Sequence, residues 1–314
     1  MRQLKQIILN LKFFLLDYWD LEIGDKKLSP PTSREKELIE EFRRKMKVLQ
    51  HSASAGNSWA DFITKMKLYS KYFDPRNFLH WEVIKLTMTM ADCPPNALEE
   101  MASSSYWEKS FKQAVIDHPL GNHPAHPILS NSSGTSLVHA WHLYNLKKET
   151  GINFEELDLI VEFGGGYGNM LKLIRNLGFK GNYVIYDLSA FSLLQNFYLQ
   201  NIGFKTTFNK FSDNETDQNI LIDNLDDFEN ILKNITRKQN LFIATWSISE
   251  TPLELRKIFF DKAGQYNYYL FGYQEEFDEI NNVKYFVDFS ANNKNIQWID
   301  RINHWQGHYL FGKK

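Results

Sequence analysis

The spacing of hydrophobic and polar residues changes near the middle of the chain. Up to about residue 150, apolar positions recur every three or four residues, which predicts mostly helical structure. Beyond that point, short apolar runs alternate with amphipathic segments of helical length, a pattern typical of a parallel sheet covered by helices. The sequence therefore predicts a helical N-terminal region over 1–150 and an α/β domain over 151–314.

Local signals divide the N-terminal region into separate helices. Thr32 and Glu35 have the spacing of a capping box ahead of a charged helix that extends to about residue 50. Further helices are predicted over 59–72, 78–90, 98–117 and 136–150. The segment 118–134 contains three prolines and two glycines, so no regular structure is expected there.

Five strands are predicted for the parallel part of the sheet. They cover 157–163, 182–186, 204–208, 241–245 and 268–271. Helices are expected over 167–177 and 190–201, and Thr251 is expected to cap another. The segment 296–312 has the pattern of two strands joined by a turn near Gln306, which predicts a closing hairpin.

A glycine-rich segment follows the first predicted strand. It has the sequence EFGGGYG at positions 162–168, and Asp187 stands at the end of the second strand. Ligands of such sheets bind beyond the carboxyl ends of the strands, where glycines let the backbone approach closely. An acid at the end of the second strand can accept both hydroxyls of a ribose. The pattern therefore predicts a nucleotide-type cofactor.

Two cofactors fit this geometry unequally. A dinucleotide site has the spacing G-x-G-x-x-G, which from Gly164 would place a glycine where Asn169 stands. Glu162 is a poor neighbour for a pyrophosphate but a good one for the ammonium group of S-adenosyl-L-methionine (SAM). We therefore expect SAM, with NAD or a ligand-free structural loop as the alternatives.

These residues resemble those of class I SAM-dependent methyltransferases over about 157–314. The resemblance implies a Rossmann-like seven-stranded sheet with an antiparallel C-terminal hairpin. It also implies that the cofactor is held by Glu162, Gly164, Gly165, Gly166, Gly168, Asp187 and Leu188. The residue beside the adenine is left open among Asn209, Asp213 and Asp223.

More narrowly, the chain resembles the sugar O-methyltransferases of polysaccharide gene clusters. The resemblance depends on the helical N-terminal extension, on EFGGGYGNM, on TWSISE over 245–250 and on the closing HWQGHYLFGKK. It implies methyl transfer to a sugar hydroxyl, with a glycan precursor as the acceptor.

Hydroxyl methylation requires a base that reaches the acceptor. His304 is predicted at the ligand edge in the closing turn, and Glu250 leaves the fourth predicted strand at the same edge; both are candidate bases. Trp246 and Ser247 are expected to contact the cofactor and to line the pocket of methyl transfer. Three further histidines are expected to contact the acceptor: His123, His126 and His308.

Histidines are also dense over 118–142. His139 and His142 could share a helix face at a spacing of three, but no HExxH or CxxC spacing supports a metal site, so no metal is predicted. Two other functions remain as alternatives. An NAD-dependent nucleotide-sugar oxidoreductase or epimerase would need a Tyr-x-x-x-Lys pair; Tyr144 and Lys148 have that spacing but precede the glycine loop. A catalytically inactive methyltransferase-like binding module is the other.

The composition of the chain indicates which binding partners and which cell compartment to expect. The chain has 36 Lys and Arg against 38 Asp and Glu, so no nucleic-acid partner is expected. The lone Cys93 excludes an intrachain disulfide and favours a reducing, cytoplasmic compartment. The apolar run over 7–16 contains Lys12 and is shorter than the ~18 residues of a spanning helix. It predicts an amphipathic helix packed on its own chain or on a second subunit, which is compatible with a homodimer.

Overall fold

The chain folds around an eight-stranded sheet. The computed structural model describes residues 12, 14–23, 28–49, 57–90, 93–302 and 307–314. The strands are β1 Leu159–Phe163, β2 Asn182–Tyr186, β3 Thr207–Phe208, β4 Asn219–Ile222, β5 Asn240–Thr245, β6 Tyr268–Tyr273, β7 Glu276–Phe277, β8 Ile280–Asn281, β9 Gln297–Ile302 and β10 His308–Lys313. The short strands β7 and β8 form a separate antiparallel pair.

Helices cover both faces of the sheet and form most of the N-terminal region. They are α1 Ser33–Val48, α2 Asn57–Tyr72, α3 Glu82–Met88, α4 Pro95–Ser103, α5 Lys112–Ala114, α6 Gly134–Thr150, α7 Asn169–Asn176, α8 Ser189–Asn201, α9 Leu225–Asn234, α10 Leu253–Ala263 and α11 Asn282–Asn292. Short 3₁₀ turns cover Pro75–His80, Phe154–Glu156 and Ile248–Glu250, and π turns cover Trp19–Ile23 and Trp107–Phe111. None of the described helices is long and apolar enough to cross a membrane.

The strand order is β3-β4-β2-β1-β5-β6-β10-β9. Strands β1 to β6 pair in parallel, and β10 pairs antiparallel with both β6 and β9. This confirms the predicted Rossmann-like α/β fold with its antiparallel hairpin. The order reverses between β1 and β5, so the ligand crevice of such a sheet is expected beyond the carboxyl ends of these strands.

The predicted strand count was wrong, because the sheet has eight strands instead of seven. The strand expected over 204–208 contracts to the two residues of β3 at the edge. The four-residue strand β4, fully buried between polar segments, was not predicted. A run this short carries no periodicity that separates a strand from a loop.

Two predicted N-terminal helices are interrupted. The segment 78–90 divides at Trp81, whose extended backbone (φ −63°, ψ 133°) separates a 3₁₀ turn from α3. The segment 98–117 divides at Ser104, which is also extended. Other signals hold: Thr32 and Glu35 form a reciprocal capping box, and Gly151 ends α6 at φ 70°. The expected Thr251 cap is wrong, because its hydroxyl donates to the Ile248 carbonyl instead.

The N-terminal helices pack on the sheet through one continuous apolar core. Phe42 of α1 lies 5.2 Å, ring to ring, from Phe197 of α8. The buried Lys172 of α7 forms an ion pair with Asp117, which lies between α5 and α6. A second core, around Phe242 and Phe259, fills the opposite face of the sheet. The helical region therefore covers one face of the sheet directly above the glycine loop.

Candidate active site

A cavity of about 740 Å³ opens at the carboxyl ends of β1, β2 and β5. The sheet contributes the glycine loop, Asp187 and the segment after β5. The N-terminal region contributes Trp59, the segment 86–90 and His139, and the β7–β8 hairpin contributes Asp278. Its volume is in the range of small-molecule and cofactor sites. Residues from both predicted parts of the chain therefore share one cavity.

The glycine loop adopts a backbone that side chains would disrupt. Gly164 has φ +73°, and a Cβ there would lie 2.4 Å from Ser247 Cβ. Gly165 packs as closely, since its Cβ would lie 2.6 Å from Ile185 Cγ2. Gly166 and Gly168 also have positive φ. The loop therefore lies against the segment after β5, and only glycine allows that approach.

Glu162 is a buried carboxyl at the base of the cavity. It is 3% exposed and accepts a hydrogen bond from Tyr183 Oη at 2.8 Å. Burial raises its pKa to about 8, the Tyr183 hydrogen bond opposes this rise, and the nearby Asp187 carboxylate adds to it. Because no Lys or Arg is among the described residues that line the cavity, a cationic ligand group would fit beside Glu162.

Asp187 follows β2 and is linked to the glycine loop through a shared hydrogen-bond donor, Gln195. Its Oδ1 accepts from the Leu188 backbone N–H at 2.8 Å, and its Oδ2 accepts from Gln195 Nε2 at 2.7 Å. Gln195 also donates to the Gly166 carbonyl at 3.1 Å. Burial raises the pKa of Asp187 to about 7 against these hydrogen bonds. Sequence reasoning missed Gln195, because its contact arises only when α8 packs beneath the loop.

The segment after β5 brings Trp246, Ser247 and Glu250 to the cavity wall. Trp246 has φ +58°, and its backbone N–H donates to the Gly272 carbonyl at 2.8 Å. Ser247 Oγ donates to the Phe163 carbonyl. Burial raises the pKa of Glu250 to about 7, a hydrogen bond with Gln274 opposes this, and Asp278 adds to the rise.

Two buried residues hold this segment in place. Arg256 donates to the carbonyls of Thr251 and Ser249 at 2.9 and 2.8 Å, and to Asn282 Oδ1 at 2.8 Å. Asn282 Nδ2 in turn donates to the Ser249 carbonyl at 3.2 Å. The backbone around Glu250 is therefore fixed from α10 and α11.

The structure does not bring all predicted histidines to the cavity. His304 lies outside the described residues. His308 stacks on Tyr273 at 5.1 Å and lies 3.4 Å from Asp300 Oδ1. The rings of His126 and His123 contact backbone of their own segment. None of these three lines the cavity.

Among the described histidines, His139 is the one that lines the cavity. Its Nδ1 lies 3.0 Å from Asn169 Nδ2, directly after the glycine loop. The sequence pattern had pointed to this residue only as a candidate for a metal site. Within the described part of the chain, no three His, Cys, Asp or Glu side chains are grouped to hold a metal ion. Tyr144 and Lys148 both contact Glu100, away from the cavity.

The three adenine candidates also lie outside the cavity wall. Asn209 and Asp223 hydrogen-bond to each other at 3.0 Å between Nδ2 and Oδ1. Neither they nor Asp213 line the cavity. The structure therefore selects none of the three.

Comparison with known proteins gives structural matches only. No protein-family model matches the sequence, and no curated protein does. Among solved structures, an rRNA methylase from Streptococcus thermophilus is 13% identical, with a TM-score of 0.38 over 56% of this chain and 95% of its own. A SAM-dependent methyltransferase from Aquifex aeolicus is 10% identical, with a TM-score of 0.37 over 70% and 98%.

An O-methyltransferase family protein from Burkholderia thailandensis is 11% identical, with a TM-score of 0.34 over 57% of each chain. Identities and scores at this level transfer neither a substrate nor a residue role to this chain.

Proposed function

We propose that this protein transfers a methyl group from SAM to a sugar hydroxyl. The observation that carries the proposal is the combination in one cavity of a glycine loop, two carboxyls suited to SAM and a third suited to a base. In this proposal, residues 151–314 bind the cofactor and residues 1–150 cover the acceptor.

The cofactor assignment depends on Glu162 and Asp187. Glu162 is buried beside the loop with a raised pKa, and an ammonium group would restore its ionised form. Asp187, with Leu188 beside it, would accept the ribose hydroxyls. Gly164, Gly165, Gly166 and Gly168 would let the methionine end pass close to the backbone. When bound, SAM supplies an electrophilic methyl group on a sulfonium.

Glu250 is the proposed base. A pKa of about 7 leaves a substantial fraction ionised at neutral pH while keeping the carboxylate basic enough to take the acceptor's hydroxyl proton. Trp246 and Ser247 would flank the acceptor on the same segment. His304 stays as the second candidate, because it precedes Gly307 by three residues in the sequence and Gly307 packs on the Trp246 ring.

The charge of the cavity favours a sugar over a nucleic acid. Four carboxyls line it, from Glu162, Asp187, Glu250 and Asp278, and no Lys or Arg does among the described residues. A phosphate would find no cationic partner among these residues and would be repelled by each carboxyl that is ionised, whereas nucleic-acid sites place Lys and Arg on phosphates. Hydroxyl groups can donate hydrogen bonds to such carboxyls, which supports a neutral sugar ring as the group that enters.

Transfer of tritium from methyl-labelled SAM tests this proposal. The acceptors are a panel of neutral oligosaccharides and, in parallel, ribosomal RNA. We expect label in a neutral saccharide and none in RNA. Label in RNA alone would overturn the sugar assignment, and binding of SAM without transfer to any acceptor would favour the non-catalytic module.

A further inference from the structure

One group of the proposed cofactor has no partner among the residues assigned above. SAM carries a carboxylate next to its ammonium, and a carboxylate at this depth needs a hydrogen-bond donor or a cation. Lys and Arg are missing from the described lining of the cavity. Among the described residues, the partner of this carboxylate is therefore a neutral donor, an inference that rests on the proposed function.

His139 has a fixed ring at the correct end of the cavity. It projects from α6 beside Asn169, the residue that follows Gly168. Asn169 Nδ2 lies 3.0 Å from His139 Nδ1, so the amide donates and this ring nitrogen accepts. An Nδ1 that accepts a hydrogen bond belongs to the tautomer with the proton on Nε2. The ring therefore carries its N–H donor on the side away from Asn169.

A buried polar network anchors this arrangement. Ser136 Oγ lies 2.6 Å from Asp117 Oδ1, and Lys172 Nζ lies 3.2 Å from Ser136 Oγ. Lys172 also forms an ion pair with Asp117. Burial, with Lys172 adding to it, lowers the pKa of His139 to about 4, against the pull of Asp117. The ring is therefore neutral near pH 7 and keeps a single N–H.

We propose that His139 Nε2–H donates a hydrogen bond to the methionine carboxylate of SAM, while Glu162 takes the ammonium. The helical N-terminal region would then supply part of the cofactor site as well as the cover. The ammonium would be bound by an acceptor on β1, Glu162, and the carboxylate by a donor on α6, His139.

Calorimetric titration with two ligands tests this assignment without knowledge of the acceptor. One ligand is S-adenosylhomocysteine (SAH), and the other is its decarboxylated analogue S-adenosyl-3-thiopropylamine. We expect His139→Phe, which keeps a ring but no donor, to weaken SAH binding at least tenfold and to leave binding of the decarboxylated analogue unchanged. His123→Phe, the same change at a histidine that does not line the cavity, is the matched control and should leave both unchanged.

Other outcomes have defined meanings. Equal weakening of both ligands in His139→Phe would assign the residue a purely structural role and overturn the inference. Failure of wild-type protein to bind SAH would overturn the proposed function itself.

A measurement on wild-type protein covers the case in which the variant does not fold. In ¹⁵N NMR of the imidazoles, we expect His139 as the Nε2–H tautomer, with an Nε2 resonance that shifts with SAH and not with the decarboxylated analogue. An Nδ1–H tautomer, or equal shifts with both ligands, would contradict the inference.

Discussion

At the scale of single residues, three carboxyl groups of the cavity have pKa values well above their ordinary range. Burial raises the pKa values of Glu162, Asp187 and Glu250 to about 8, 7 and 7, because no described cation lies beside them to offset it. Ligand binding, stability and turnover should therefore all depend on pH near neutrality.

Binding of SAH should be coupled to proton release. Below about pH 8, Glu162 is protonated in the free protein, and an ammonium ligand favours its ionised form. Affinity should therefore rise between about pH 6 and pH 8, and the binding enthalpy should depend on the ionisation enthalpy of the buffer. Glu162→Gln should weaken binding and reduce both effects. A pH-independent affinity in wild-type protein would contradict the role of Glu162.

The same raised pKa affects stability in the opposite direction. A buried acid whose folded pKa lies above its unfolded value of 4.5 contributes a free energy of unfolding that falls as pH rises between the two values. The melting temperature of the free protein should therefore fall from about pH 5 to pH 8, and less so in Glu162→Gln. Equal pH dependence in both proteins, measured by calorimetry, would contradict the raised pKa.

Glu250 is expected to control turnover without affecting cofactor affinity. Glu250→Gln should lower kcat by about 10²- to 10⁴-fold while the Kd for SAH stays unchanged. In wild-type protein kcat should rise with pH through about 7, as the carboxylate forms. Glu254→Gln, on the exposed start of α10, is the control. Wild-type turnover in Glu250→Gln would transfer the role of base to His304.

Sequence could predict the residues of the site that follow a local motif, and only those. The glycine loop and Asp187 are set by strand ends, which a pattern reveals. His139, Gln195 and Asp278 reach the same cavity from other elements, so tertiary packing alone brings them there. His123 and His126 do not line it, and their rings contact the backbone of their own segment.

At the scale of elements, the segment from Trp246 to Thr251 depends on α10 and α11. Arg256 and Asn282 satisfy its carbonyls, and the Arg256 guanidinium lies 4.6 Å over the Tyr285 ring. The hydrogen bonds from the Arg256 guanidinium are charge-assisted and buried. Removing the guanidinium would leave their acceptors without a donor, which lowers the free energy of unfolding.

Arg256→Met should therefore lower the free energy of unfolding by about 2–4 kcal/mol. Arg301→Met is the matched control, because Arg301 is exposed and its ion pair with Glu149 lies at the surface, a contact worth at most about 1 kcal/mol. Urea unfolding of the two variants measures the difference. Equal and small losses would show that the segment is held by its own packing.

The elements themselves were predictable where they carry a long pattern or a cap. Strand β2 and the capped start of α1 lie where the sequence predicts them. Strand β4 has too few residues for a pattern, and α11 was also missed. The helical spacing of apolar residues continues through Trp81 and Ser104, although both helices are interrupted there. The spacing therefore does not reveal these interruptions, which depend on packing against neighbouring elements.

At the scale of the whole molecule, the helical region and the sheet share their interior. Phe42 contacts Phe197 of α8 and lies near Trp81, and all three are buried. Phe42→Ala should cost about 3–5 kcal/mol and lower the midpoint of one common transition seen by tryptophan fluorescence and far-UV circular dichroism. Two separate transitions, with only the first displaced, would mean that the sheet is stable without its cover.

The central claim is that the cavity binds SAM, and calorimetric titration with SAH, with NAD as the control ligand, tests it most directly. We predict micromolar binding of SAH, no binding of NAD, and a large loss of SAH affinity in Asp187→Ala with the fold retained. Binding of NAD alone would contradict this claim and make Asp187 the ribose ligand of a dinucleotide.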